Sequence, residues 1–62
     1  MHQIQLDEET RNTLAETIET AIGDLRMEIA DTDSYDFRQE LKMREATLKR
    51  LLADLSTAPL AV

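Results

Sequence analysis

The chain has no cysteine and no tryptophan, and only one glycine, one proline, one tyrosine, one phenylalanine and one histidine in 62 residues. The missing cysteine excludes a disulfide scaffold. With His2 as the only imidazole, a zinc-type ligand set cannot be assembled within one chain. No apolar run approaches the roughly 20 residues that a membrane span needs. The first residues show no basic stretch followed by an apolar one, so the expected location is the cytoplasm, with no membrane partner.

A chain this short buries only about 60% of the surface its unfolded form exposes. Small domains are usually reinforced by disulfides, metals or oligomerisation, and the composition leaves oligomerisation. The net charge is −6, from 13 acidic and 7 basic side chains. A surface of that sign repels phosphate backbones and argues against nucleic acid as a partner. The charge is also unevenly divided. Residues 1–33 hold nine acids and two bases (net −7), and residues 34–62 hold four acids and five bases (net +1). The two halves are therefore electrostatically complementary.

What the chain does contain is helical periodicity. Leu14, Ile18, Ile22, Leu25 and Ile29 recur at intervals of 4, 4, 3 and 4, with Ala21 at the edge of the stripe they form. At about 100° per residue these positions share one face of a helix spanning about residues 7–30. Phe37, Leu41, Leu48, Leu51, Leu52 and Leu55 form the equivalent stripe of a second helix over about 34–55. Asp7 stands where an N-cap belongs, followed by Glu8 and Glu9 at the positive end of the helix dipole. Between the stripes, Asp31-Thr32-Asp33-Ser34-Tyr35 breaks the pattern with short side chains that bond to nearby backbone. Asp33 or Ser34 is the expected N-cap of the second helix, with Asp36 placed to return a bond to the cap's own amide.

A connection this short makes the helices antiparallel. Residues 1–55 thus read as one all-α domain, a two-helix hairpin whose apolar stripes are completed by self-association into a four-helix bundle. The expected oligomer interface is Leu14, Ile18, Ile22, Leu25, Ile29, Phe37, Leu41, Leu48, Leu51, Leu52 and Leu55. Leu25 should lie near Leu41, Ile18 near Leu48 and Leu14 near Leu52. Before the first helix, residues 2–6 alternate polar and apolar and read as extended. Residues 56–62, containing Pro59, read as a flexible tail.

Several side-chain groupings invite a chemical reading. Asp31, Asp33 and Asp36 suggest a cation loop, but a calcium-loop match beginning at Asp31 would need an oxygen ligand at Tyr35, glycine at Asp36 and glutamate at Lys42. Turn formation and capping by Asp31, Asp33 and Ser34 account for these residues better. Glu16, Glu19, Glu28, Glu40 and Glu45 lack the Glu-x-x-His pairs of a bundle metal centre, so no metal or cofactor is expected. Arg38, Lys42 and Lys49 align on one flank of the second helix and are expected to pair with neighbouring glutamates.

Arg44 and Glu45 interrupt the second stripe. Either they lay their methylenes along the interface edge, or Arg44 pairs with a carboxylate of the first helix or of another copy. Gly23, on the far side of the first helix near Met27 and level with Met43, either sits on a solvent face or permits close approach by another chain. No nucleophile, base and orienting group can be placed together, so no enzymatic activity is expected.

The run Asp24-Leu25-Arg26-Met27-Glu28-Ile29-Ala30-Asp31-Thr32-Asp33, followed by Phe37-Arg38 and by Leu41-Lys42-Met43-Arg44-Glu45-Ala46, resembles small bacterial proteins of unassigned function that share a DLRxEIxDTD…LKxRE signature. The resemblance covers about residues 4–55. It implies a bacterial origin and a helical hairpin, and it brings no ligand or catalytic residue. The expected function is that of a small non-enzymatic interaction or regulatory protein acting as a homodimer, with another protein as a second partner. The alternative is a structural subunit of a larger complex.

Overall fold

The chain becomes helical at Glu8 because Asp7 satisfies the amides that the first turn leaves open. Asp7 has extended backbone (φ −76°, ψ 170°), and its Oδ1 accepts from the Thr10 amide at 2.7 Å. That bond, together with one from the Thr10 side chain, holds the Asp7 carboxyl below the usual aspartate range. The computed structural model describes residues 7–57, which form α1 (Glu8–Asp31) and α2 (Tyr35–Thr57) and contain no strand. The extended reading of residues 2–6 and most of the expected tail lie outside the described residues.

The turn needs no glycine because it uses no left-handed backbone; among the described residues none has a positive φ. Thr32 closes α1 with extended backbone (φ −83°, ψ 138°) while its amide still donates to the Glu28 carbonyl at 3.0 Å. Three residues later α2 begins. Ser34 is its N-cap: Oγ accepts from the Phe37 amide at 3.2 Å, and the Ser34 carbonyl accepts from the Arg38 amide at 3.0 Å. Asp33 therefore does not cap α2. Because α1 runs on to Asp31, the helical start moves to Tyr35 and the cap to the residue before it. Asp36 becomes the second helical residue rather than the third, too early to reach back, and the Ser34 amide instead donates to Thr32 Oγ1 at 3.3 Å.

At its other end α2 continues through Ser56 and Thr57, two residues beyond the expected boundary. Their hydroxyls donate back to the carbonyls of Ala53 (2.8 Å) and Asp54 (3.0 Å), so polar side chains that read as loop formers serve the last turn. Thr17 and Thr47 bond back within their helices in the same way, to Thr13 and Met43.

The three-residue connection lays α2 antiparallel along α1. Five side chains are buried between them: Ile18, Ile22, Leu25, Leu41 and Leu55, with Leu41 only 2% exposed. Ile18, Ile22 and Leu55 form a cluster against which Ala15, Leu48 and Leu52 pack. Every one of these residues belongs to the stripes that periodicity marks out, apart from Ala15, which lies beside Ile18 on the helix surface.

Candidate interaction surface

The hairpin closes only part of its apolar stripes. Leu14, Phe37 and Leu51 remain 38%, 45% and 47% exposed, and Ile29, Leu48 and Leu52 are half-buried. Helix geometry gathers the open ones on one side. Seen along the pair, α1 winds clockwise and α2 counterclockwise, so residues displaced to the same rotational side of each stripe emerge on the same face. Leu14 and Ala21 flank the α1 stripe on one side. Leu51, Arg44 and Phe37 flank the α2 stripe on the matching side. Together they form a continuous face that the two helices of one chain do not cover.

The opposite face is polar and internally paired. Arg26 Nε donates to Glu45 Oε2 at 2.8 Å, and Lys49 Nζ lies 3.4 Å from the same oxygen, one helical turn along α2. The Glu45 side chain is 15% exposed. The hydrogen bond from Arg26 is the main reason its carboxyl sits below the usual glutamate range; Lys49 adds to the shift and partial burial works against it. Within one chain it is Glu45, not Arg44, that pairs with α1. Glu45 is drawn into the seam and paired with α1, whereas Arg44 is exposed and, among the described residues, makes no ion pair.

Beyond Lys49 the same face opens into a groove of about 460 Å³ between the helix ends furthest from the turn, lined by Arg11, Ala15, Glu19, Lys49, Leu52 and Ser56, among others.

At the turn, the Asp31 and Asp33 carboxylates are exposed and accept no hydrogen bond from the described residues. The residues that do hold the turn are Thr32, Ser34 and Arg38, whose guanidinium donates to the Thr32 carbonyl from α2. Arg38 read as one of three bases on a flank, and its capping role was not legible because it depends on the two helix ends meeting. Among the described residues, no group of three or more His, Cys, Asp or Glu side chains is arranged to hold a metal ion. None of the described helices is long and apolar enough to cross a membrane.

Gly23 is exposed, and a β-carbon added there would meet nothing within 4 Å, so no contact inside the hairpin requires glycine. Met27 and Met43 are likewise exposed, on the outer surfaces of their helices.

Comparison with known proteins found no matching protein family, no similar curated protein and no similar solved structure.

Proposed function

We propose that this chain is a small non-enzymatic interaction or regulatory module that acts as a homo-oligomer, most simply a dimer of hairpins forming a four-helix bundle. The observation that carries this reading is the exposure of Leu14, Phe37 and Leu51 on one face of a hairpin that buries five side chains among the described residues. Full burial of a large apolar side chain is worth roughly 1.5–3 kcal/mol, and side chains left 38–47% exposed forgo part of that. A short chain has few other sources of stability. A bacterial setting belongs to the same proposal and rests on the motif resemblance alone.

Light scattering during size-exclusion chromatography at micromolar concentration tests the reading. The expected mass is twice the 7.1 kDa of one chain or a higher multiple, with a thermal midpoint that falls on dilution. A monodisperse monomer with a cooperative transition unchanged by dilution would falsify it.

A second reading, a structural subunit of a larger complex, is favoured by Met27 and Met43. They lie away from the open apolar face and would stay exposed in the dimer, and methionine adapts its shape to a partner surface. Capture from the native host separates the two. A stable stoichiometric complex marks a subunit, whereas a free homodimer that exchanges with its partner marks a module.

A further inference from the structure

Leu14, Ala21 and Glu28 are seven residues apart along one edge of α1, and Phe37, Arg44 and Leu51 are seven apart along the edge of α2 that shares its face. Leu14 and Leu51, Ala21 and Arg44, and Glu28 and Phe37 stand at matching distances from the turn. The open face is thus a ladder of three levels: apolar far from the turn, small beside long and basic in the middle, acidic beside aromatic near the turn.

Side chains on a helix lean toward its N-terminus, so those of α1 lean away from the turn and those of α2 toward it. This lean is what lets Arg26 reach Glu45 across the polar face at 2.8 Å. Glu28 and Arg44 repeat that offset on the open face with the charges exchanged, yet both are exposed and form no ion pair within the hairpin.

Building on the self-association reading above, we propose that this face receives a second copy of the same chain with both turns at the same end of the bundle. The α1 of each copy lies on the α2 of the other, and Arg44 of each pairs with Glu28 of the other. Charge selects this arrangement over its alternative. α1 holds seven acids and two bases (2 − 7, net −5), and α2 holds four acids and five bases (5 − 4, net +1).

A two-fold axis running along the bundle puts α1 against α2 of the second copy. An axis across the bundle would stack α1 on α1 and bring the two Arg44 side chains together, and like charges in juxtaposition are unfavourable. The favoured arrangement also sets Leu14 against Leu51 of the second copy and lays the long Arg44 over the small Ala21.

Charge exchange tests the pairing. Arg44→Glu and Glu28→Arg each place like charges at both symmetric contacts, and each variant alone should dimerise at least tenfold more weakly. Mixed in equal amounts they form a heterodimer in which both contacts are opposite in sign, and affinity should return to within a few-fold of wild type. Both positions are exposed in the hairpin, and far-UV circular dichroism confirms that each variant stays helical. If wild type dimerises but the mixture is no tighter than either variant alone, the Arg44–Glu28 pairing is wrong while self-association stands. If wild type is monomeric, the self-association reading itself fails.

Orientation is read separately from spin labels on Asp33→Cys, a single thiol in a cysteine-free chain. Turns at the same end put the labels about a helix-packing distance apart, roughly 10 Å plus the label arms. Turns at opposite ends put them about 36 Å apart, the length of a 24-residue helix, and would overturn the proposed orientation.

Discussion

The Arg38 guanidinium donates to the carbonyl oxygen of Thr32, so the first turn of α2 supplies the cation that the last turn of α1 lacks. α1 ends without a basic residue and with Asp31 at its negative dipole end, an unfavourable arrangement taken alone. Arg38 offsets it and satisfies a carbonyl that the helix end leaves open. Arg38→Ala should lower stability by about 1–2 kcal/mol, and Arg38→Lys should recover part of the loss. Denaturant titration measures both, and no change in Arg38→Ala would mean that this contact contributes nothing.

The turn separates two neighbouring residues that look alike as caps. Ser34→Ala should cost about 1 kcal/mol, because it removes the acceptor of the Phe37 amide. Asp33→Ala should stay within about 0.5 kcal/mol, as expected for an exposed side chain without partners. Reversal of that order in urea melts would return the cap to Asp33.

Glu45 predicts a pH dependence. Its folded pKa is lowered, so the contribution of its charge is fully present above the unfolded value near 4.5 and is lost as pH falls through the depressed folded value. Thermal midpoints of wild type and Glu45→Gln should differ most near neutral pH, with wild type higher, and should converge as pH falls through the depressed folded value. A constant gap across that range would show that the charge on Glu45 is not what matters.

Burial separates two leucines on the same stripe. Leu41→Ala should destabilise by about 2–5 kcal/mol at any protein concentration, since Leu41 is enclosed by the hairpin itself. Leu51→Ala should act mainly through assembly, weakening the proposed dimer while the helical spectrum at high concentration persists. Equal losses from both, independent of dilution, would place Leu51 inside the hairpin and remove the open face.

Gly23→Ala should stabilise by about 1 kcal/mol, because helical glycine is costly and the site has room for a methyl group. Stabilisation accompanied by lost binding to a host partner would locate that partner at Gly23.

The course of both helices and the place of the turn were legible in the residues alone. Ile18, Ile22, Leu25, Leu41 and Leu55 repeat with the helical period, and short polar side chains between Asp31 and Tyr35 interrupt it. Periodicity reports which side of a helix faces apolar surroundings, and that is a local property of the chain.

It does not report how much of a stripe one neighbour can cover. Leu14, Phe37 and Leu51 look equivalent to the buried residues in sequence, and only the packing of α2 on α1 separates them, because one helix shields a narrower arc than the stripe spans. The Arg26–Glu45 pair and the Arg38–Thr32 cap were hidden for a related reason. Each joins residues that the turn brings together, and their bonds depend on where α1 stops, to within a single residue. Local chemistry along the chain thus determined the two helices and the break between them, whereas the antiparallel packing alone decided which apolar residues are enclosed, which charges meet and which face stays open.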